Sequence, residues 1–518
     1  MHITKITGPP GCGKTSYLLR QIINACEKYF PVDIGAVSYT KAAVEQIRKV
    51  IAQTTGDSKE VTKNVRTLHS HAFNLLGLNS DDIAERHVVE FNIENPQFSF
   101  KIDGTPDESI WNDDYDNKRK FSDIQILRNK LIPVDRWPDD VRSMWFAWEK
   151  WMHKNNLTDF TGMLEKIVEN QLVPPIKVLF IDEAQDLTPL QHAITSLWER
   201  NTDYSVYVGD SNQCIYRFAG SVPEAFINLK HDFHKHLDQS YRLPTAVHAY
   251  AERIISRAAD REHFPYKPVT KDMEIYRGEG RVVNQWEPDL SLPGTHMILG
   301  RCNYHIRRWI YSIMDAGHIW HNPYRPEDMF WNPTKTASWR AARTYMDLME
   351  GREVHVSKLK HMVSMIIAKD NLERGAKKQI KNRWTSRDDD TRVDLFDLQG
   401  LGFTDLFINK PRLAHEVIKV TGTAGEIIKR SGTYDKMKDV LFMEPNVIVG
   451  TVHSVKGGES DHVWVDVSLA PVIYKEIDES PRAFWDEARV AFVAATRARE
   501  TLGLIHMSGK WSPLLPEI

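Results

Sequence analysis

Short apolar runs alternate along the chain with segments in which apolar residues recur every three or four positions. The opening residues 2–7 alternate polar and apolar side chains, and residues 16–50 carry a helical and then a strand-like pattern. The runs at residues 178–181 and 206–208 end at or near an aspartate, as expected of parallel strands buried on both faces. Similar runs follow at residues 447–450 and 463–466. Strands that alternate with helices predict doubly wound α/β units.

Two long segments interrupt this alternation. Residues from about 75 to 170 are rich in Trp and charge, and residues from about 322 to 440 are polar with a charged run near their middle. Both have mostly helical patterns. We therefore expect two insertions into α/β cores.

Composition limits the class of protein. The 518 residues exceed what one hydrophobic core normally serves, and 42% hydrophobic with 26% charged residues is ordinary globular composition. A net charge of -3 means that any nucleic-acid contact must come from a local basic surface. The four cysteines are widely spaced and suggest neither disulfides nor zinc, and neither an export signal nor a membrane span is apparent. A cytoplasmic protein is expected.

The sequence GPPGCGKT at residues 8–15 satisfies the P-loop pattern, with a predicted strand before it and a helix after it. Its glycines let backbone N–H groups surround phosphates, Lys14 reaches the outer phosphates, and the Thr15 hydroxyl ligates Mg²⁺. ATP and Mg²⁺ are the predicted cofactors. The predicted nucleotide-binding residues here are Gly8, Pro9, Pro10, Gly11, Cys12, Gly13, Lys14, Thr15 and Ser16.

A second acidic motif, DEAQD, follows the apolar run at residues 178–181. In α/β sheets the carboxyl ends of strands present ligands, so Asp182 can hold Mg²⁺ and Glu183 can orient and deprotonate the attacking water. The alternative is that these acids only cap the next helix, since Asp and Glu suit a helix N-terminus.

These and later motifs, taken in order from Gly8 to Ala498, resemble the UvrD/Rep family of superfamily 1 DNA helicases. The further motifs are YTKAA at 39–43, TLHS at 67–70, GDSNQCIYRFAG at 209–220, QSYR at 239–242, ILGR at 298–301, GTVHSVKGGE at 450–459 and EARVAFVAATRA at 487–498. Each motif is weak alone, and their order makes the resemblance specific.

For the ATP site, the resemblance implies that Gln213 senses the γ-phosphate, Arg242 binds it and Arg497 acts as an arginine finger. Tyr241 would stack on adenine, and Gly457 and Glu459 would lie near the nucleotide. An arginine on a helix is usually a surface residue, so these roles depend on the joint pattern. The predicted catalytic residues are Lys14, Asp182, Glu183, Gln213, Arg242 and Arg497.

For the nucleic acid along which the protein would move, the resemblance implies single-stranded DNA and junctions between single and double strands. Tyr216 and Phe218 would face bases, although both could equally be core residues. Arg301, after a further strand of the second lobe, is a weaker site candidate for which no role is assigned. RNA stays open as an alternative because base stacking does not detect the 2′-OH. The predicted DNA-binding residues are Tyr39, Thr40, Lys41, His69, Tyr216, Phe218, Thr451 and His453.

The fold implied by the resemblance is two RecA-like P-loop NTPase lobes, each with a mostly helical inserted subdomain. The expected first lobe is residues 1–74 and 171–238 with an insertion at 75–170, and the expected second lobe is 239–321 and 441–518 with an insertion at 322–440.

The implied activity is that of an ATP-dependent DNA helicase that moves 3′ to 5′ on single-stranded DNA as the lobes close and reopen. The expected setting is a bacterial or phage-infected cytosol near the nucleoid, with replication, repair or recombination proteins as candidate partners. One alternative is a DNA-stimulated ATPase, translocase or recombination-complex subunit with little unwinding. Another is a P-loop kinase or regulator, which leaves Gln213, Arg497 and the HSVKGGE segment unexplained.

One departure from the family pattern concerns base recognition. Family members place a glutamine-bearing segment before the P-loop, whereas seven residues precede Gly8 here. We therefore expect weaker selectivity among nucleoside triphosphates, with Tyr241 as the main base contact.

Overall fold

The computed structural model describes residues 2–38, 41–55, 62–101, 115–384, 388–506 and 511–517. Contacts within the chain define two compact units. Unit 1 comprises Met1–Val282, Pro471–Thr501 and Ser512–Ile518, and unit 2 comprises Val283–Ala470 and Leu502–Trp511.

The sheet of unit 1 has, among the described residues, six strands in the order β3-β2-β4-β5-β1-β6, and neighbouring strands run parallel. The strands are β1 (His2–Thr7), β2 (Ile34–Val37), β3 (Val65–Arg66), β4 (Val178–Ile181), β5 (Tyr204–Gly209) and β6 (Phe233–His236). The order places β1, which leads into the P-loop, between β5 and β6.

Both faces of this sheet are covered by helices. On β4, Val178 and Phe180 pack with residues of α1 and α2, while Leu179 and Ile181 pack on the other side with residues of α3, α7 and α8. These four strand residues are fully buried, which explains their continuous apolar sequence. The helices of unit 1 are α1 (Lys14–Cys26), α2 (Lys41–Thr55), α3 (Leu68–Leu75), α4 (Val88–Glu94), α5 (Tyr115–Asn129), α6 (Asp139–Lys154), α7 (Phe160–Glu169), α8 (Pro189–Glu199), α9 (Pro223–Ile227), α10 (Thr245–Ile255), α19 (Pro471–Glu479) and α20 (Pro481–Ala495).

Helices α4, α5 and α6 form a separate aromatic core within unit 1. Trp148 lies at its centre, in edge contact with Phe91 and stacked on Trp151. Asp159, the N-cap of α7, accepts hydrogen bonds from the Trp148 indole at 3.0 Å and from Arg128 at 2.5 Å. The described tryptophans of this segment, Trp137, Trp145, Trp148 and Trp151, are therefore packing residues of a helical subdomain.

The sheet of unit 2 has the strand order β7-β14-β13-β8-β12-β9 among the described residues. Strands β13, β8, β12 and β9 are parallel neighbours, and the chain passes between the two units within β7 and β14. The strands are β7 (Arg281–Gln285), β8 (His296–Gly300), β9 (Trp320–His321), β12 (Val447–Thr451), β13 (Ser460–Asp466) and β14 (Ala498–Ile505).

A single large hydrophobic cluster joins this sheet to the helices of residues 337–442, and Trp309, Trp320 and Tyr345 are buried in it. A short antiparallel ribbon, β10 (Val354–His355) with β11 (Arg392–Val393), lies in the same helical region. The helices of unit 2 are α11 (Asn303–Asp315), α12 (Ala337–Met349), α13 (Val356–Met365), α14 (Ala376–Arg383), α15 (Asp405–Asn409), α16 (Ala414–Val417), α17 (Gly422–Arg430) and α18 (Tyr434–Phe442).

The predicted fold class is confirmed: the chain is α/β, with two RecA-like sheets that each carry a helical subdomain. The limits predicted for lobes and insertions stay predictions. The contacts group residues 239–282 and 471–501 with the P-loop in unit 1. Among the described helices, none combines the length and apolar composition needed to cross a bilayer.

Candidate ATP and DNA sites

The P-loop joins β1 to α1 through two glycines in the left-handed region of backbone space. Gly11 has φ 72° and Gly13 has φ 77°, values that a residue with a Cβ adopts only with strain. Gly13 is the N-cap of α1, and no described side chain caps the first amide groups of that helix. The loop therefore presents backbone N–H groups and a helix N-terminus, the arrangement that binds phosphate.

The segment Ser240–Arg242 lies directly against this loop. The Tyr241 amide donates to the Gly11 carbonyl at 2.8 Å, and the Ser240 hydroxyl donates to the Pro10 carbonyl at 3.0 Å. A Cβ added at Gly11 would lie 2.5 Å from the Arg242 Cβ. The close approach explains why glycine is needed at position 11.

The side chains of Lys14 and Tyr241 both lie beside the P-loop. The Lys14 ammonium donates to the Gly8 and Pro9 carbonyls at 2.6 and 3.2 Å, so its charge lies over the loop. Tyr241 is 57% exposed, and its ring is 3.9 Å from the position of a Cβ at Gly13. An exposed aromatic face beside a phosphate-binding loop suits stacking on a nucleotide base.

Asp182 and Glu183 follow the C-terminal end of β4. The neighbouring strand β5 ends just before a third motif acid, Asp210. Asp182 is buried, and its carboxylate accepts from the Glu183 amide at 3.1 Å. Glu183 has φ 52°, an uncommon conformation that concentrates at functional sites. Thr188 caps α8 and forms a capping box with Gln191, so helix capping does not account for the two acids.

Gln185 connects these acids to the next strand. The side-chain nitrogen of Gln185 donates to the Glu183 carboxylate at 2.5 Å, and its side-chain carbonyl accepts from the backbone amide of Asp210 at 2.9 Å. Gln213 donates to the Asp210 carboxylate at 2.6 Å. Burial raises the pKa of Asp210, and nearby Lys14 and the Gln213 hydrogen bond oppose the shift.

Two arginines complete this hydrogen-bonded path. The Arg497 guanidinium donates to the side-chain carbonyl of Gln213 at 3.1 Å and to the backbone carbonyl of Val493 at 2.9 Å. Arg497 is 2% exposed. Arg242 donates to the Thr496 carbonyl at 3.2 Å. Unit 1 therefore brings together Glu183, Gln213, Arg242 and Arg497 around one loop.

These residues fit a bound nucleoside triphosphate with Mg²⁺. At Gly13 the nearest described atoms to an added Cβ are those of the Tyr241 ring at 3.9 Å, which leaves space beside the start of α1, and the cationic Lys14 lies over the same loop. A Thr hydroxyl and a carboxylate are hard oxygen ligands of the kind that Mg²⁺ prefers, with water completing its shell. Thr15 lies in the first turn of α1, and Asp182 directly follows β4.

The predicted DNA contacts of unit 1 are described in part. Tyr39 and Thr40 lie outside the described residues, and Lys41 begins α2 but its side chain also lies outside them. His69 contacts the ring of Phe160 edge-on, with centroids 6.2 Å apart, and burial lowers its pKa to about 4. His69 is therefore neutral near pH 7 and can offer a hydrogen bond but no charge.

Tyr216 and Phe218 are both partly exposed, and their ring centroids are 6.2 Å apart at an angle of 51°. They flank Arg217 in a short 3₁₀ turn, Arg217–Ala219. Two partly exposed aromatic faces in one turn can stack on unpaired bases.

The remaining candidates belong to unit 2. Thr451 and His453 are buried at the C-terminal end of β12, Arg301 directly follows β8, and Glu459 is partly buried. Gly457 has φ 89°, with no described atom within 4 Å of an added Cβ.

Asn322, which the sequence analysis did not single out, supports this segment. It is fully buried and donates to the Val449 carbonyl at 2.9 Å and to the Ser454 hydroxyl at 3.2 Å. Gln185 and Thr496 were likewise missed as site residues. Gln185 lies inside a recognised motif, but its partner across the sheet depends on the tertiary structure.

The sheet order and the loop geometry together define a P-loop NTPase of the RecA-like type. Comparison with known proteins narrows this class. Residues 2–234 match the UvrD/REP helicase N-terminal domain, and the resemblance found from the motifs is thereby confirmed. Over these residues the chain is similar to that family.

Individual proteins similar to this chain are named as DNA helicases. A probable DNA helicase II homolog of Mycoplasma genitalium is 25% identical over 280 residues, which cover 47% of this chain and 39% of that protein. The ATP-dependent DNA helicase PcrA of Staphylococcus aureus is 19% identical, covering 96% of this chain and 80% of PcrA. The ATP-dependent DNA helicase Rep of Buchnera aphidicola subsp. Schizaphis graminum is 22% identical, covering 60% of this chain and 50% of Rep. The chain thus spans about two fifths of the first relative and four fifths of PcrA.

Proposed function

We propose that the protein is an ATP-dependent DNA helicase that moves along single-stranded DNA. The observation that carries this proposal is the path of side chains from Glu183 through Gln185, Asp210 and Gln213 to Arg497 beside the P-loop. A P-loop kinase or nucleotide-binding regulator leaves Gln213 and Arg497 unexplained. The names of PcrA and Rep, which are ATP-dependent DNA helicases, support the same activity.

In the proposed reaction the P-loop amides and Lys14 hold the phosphates, and Tyr241 stacks on the base. Bound Mg²⁺, held by Thr15 and Asp182, would supply positive charge to the phosphate oxygens. Glu183 orients the attacking water and accepts its proton, while Arg242 and Arg497 offset the negative charge that develops on the transferred phosphate. Along the hydrogen-bonded path, Gln213 lies between the catalytic base Glu183 and the arginine finger Arg497, and it can respond to the γ-phosphate.

On the DNA side, Tyr216 and Phe218 would stack on successive bases, and His69 would contact the strand as a neutral donor. Gln213 and Tyr216 are three residues apart, so one short segment serves both sites. We propose that hydrolysis changes the grip of these aromatics and moves the strand, in the 3′ to 5′ direction that the family resemblance implies. Closure of the two lobes around the nucleotide stays part of this proposal.

The test is a strand-release assay on duplexes with a 3′ or a 5′ single-stranded tail. The wild type should release the strand from 3′-tailed DNA with ATP, and Lys14→Ala and Glu183→Gln should not. Release by either variant would contradict the assigned ATP site. Release from 5′ tails alone would reverse the direction, and DNA-stimulated ATP turnover without release from either tail would identify a translocase.

A further inference from the structure

Six charged side chains form a cluster in unit 1, apart from the proposed catalytic residues. The members come from three segments of the chain. They are Arg217 and Glu224 near α9, Asp260 after α10, and Arg482, Asp486 and Arg489 in α20.

Arg217 is the centre of this cluster. Its guanidinium pairs with Asp486 at 3.0 Å and with Glu224 at 2.9 Å, and its side chain is only 10% exposed. Asp260 lies 3.7 Å from the same guanidinium. Three carboxylates therefore surround one arginine, and they leave little room for it to meet another anion.

Arg489 holds the other side of the cluster. It is 1% exposed, pairs with Asp260 at 2.8 Å and lies 3.6 Å from Asp486. Burying an arginine to this degree is costly unless carboxylates compensate its charge. Breaking one pair should therefore shift the segments that carry the charges.

The cluster lies between the proposed base-stacking residues and the helix that leads to Arg497. Arg217 lies between Tyr216 and Phe218, the proposed base-stacking residues, while Asp486 and Arg489 lie on α20, whose end leads to Arg497. The segment 211–224 therefore meets the α20 region twice, through Gln213 with Arg497 and through Arg217 with Asp486. One contact lies at the proposed ATP site and the other beside the proposed DNA site.

We propose that Arg217, Asp486, Asp260 and Arg489 form a positioning element that transmits DNA occupancy at Tyr216 and Phe218 to the arginine finger Arg497. The inference rests on the proposed function. A base that stacks on the aromatics moves the backbone turn that carries Arg217. The buried ion pairs then carry this movement to α20 and set where Arg497 lies relative to Gln213.

The test compares ATP turnover with and without single-stranded DNA in Arg217→Gln and Asp486→Asn. Both variants should lose most of the stimulation by DNA, so that kcat at saturating DNA falls about tenfold relative to the wild type. The DNA-free kcat, the KM for ATP and the Kd for a fluorescent oligonucleotide should stay within about twofold of the wild type. Stimulation that persists in both variants would overturn the inference.

A direct role of Arg217 in binding DNA phosphate predicts a different pattern. Arg217→Gln would then weaken DNA binding, and Asp486→Asn would strengthen it by freeing the guanidinium. That result would also overturn the inference. Arg482→Gln is the matched control, because Arg482 is 61% exposed and pairs with Glu224 at the edge of the cluster. Its stimulation by DNA should be unchanged.

A charge exchange keeps the inference testable if single variants lose stability. The double variant Arg217→Asp with Asp486→Arg retains one opposite pair and should recover part of the stimulation that either change alone removes. Failure to exceed the weaker single variant would contradict coupling through this pair. A wild type that DNA does not stimulate would remove the proposed function itself and this inference with it.

Discussion

Glu183 carries the proposed chemistry, and its carboxylate accepts a hydrogen bond from the side-chain amide of Gln185. Gln185 is fully buried and bridges Glu183 to the Asp210 backbone. An added Cβ at Gly209 would lie 2.5 Å from the Gln185 carbonyl oxygen, so the small residue there makes room for the bridge. The conformation of a catalytic base thus depends on a residue that need not touch substrate.

Gln185→Ala should lower kcat for ATP about tenfold and leave the KM for ATP within about twofold, because it removes orientation of the base and not nucleotide contacts. Steady-state turnover with saturating DNA measures both values. Gln379→Ala, at an exposed position, is the control. An unchanged kcat in Gln185→Ala would show that Glu183 is positioned by other groups.

We expect Glu85 to make the stability of the helical subdomain of unit 1 depend on pH. Burial and the nearby Asp159 raise the pKa of Glu85 to about 8, and one carboxylate oxygen is buried without a hydrogen-bond partner among the described residues. Because the folded-state pKa lies above the unfolded value, the stabilising protonated form is complete below about pH 4.5. That stabilisation is lost as the pH rises to about 8.

Glu85→Gln should therefore be more stable than the wild type at high pH, by up to about 5 kcal/mol at pH 9, and similar to it at pH 5. Urea unfolding at both pH values measures the difference. Glu90→Gln, on the exposed side of α4, is the matched control. A difference between Glu85→Gln and the wild type that does not grow with pH would contradict a protonated Glu85.

Among the structural elements, the P-loop depends most on steric detail. Gly11 combines a positive φ with direct contact to the Ser240–Arg242 segment, so a methyl group there strains the backbone and displaces Arg242. Gly77 also has a positive φ, 64°, but no described atom lies within 4 Å of an added Cβ. Comparing substitutions at the two glycines therefore distinguishes the effect of backbone strain from the effect of steric crowding.

Gly11→Ala should weaken ATP binding at least about tenfold, while Gly77→Ala should affect stability alone, by about 1 kcal/mol. Titration with a fluorescent ATP analogue and urea unfolding distinguish the two effects. Near-normal ATP affinity in Gly11→Ala would contradict the close packing of Arg242 on the loop.

Local sequence patterns predicted the elements more readily than their partners. The buried runs before Asp182 and Asp210 identified parallel strands, because strands covered on both faces need continuous apolar side chains. Gln185, Asn322 and Arg217 are also visible in the sequence. Their contacts join residues 25, 127 and 269 positions apart, and no local pattern encodes such pairs.

At the level of the whole molecule, ATP turnover and DNA contact are proposed to share one short segment, residues 209–220. The protein has a net charge of -3, so affinity for DNA should come from the local surface and from stacking. This arrangement makes the rate of hydrolysis depend on whether a strand is bound, which gives a direct test of the central claim.

The measurement is ATP turnover by the wild type and by Arg497→Ala as single-stranded DNA is added. The wild type should accelerate at least about tenfold to a plateau, and Arg497→Ala should remain slow at every DNA concentration because it lacks the arginine finger. A wild-type rate that is the same with and without DNA, or full acceleration in Arg497→Ala, would contradict a DNA-driven motor built on this site.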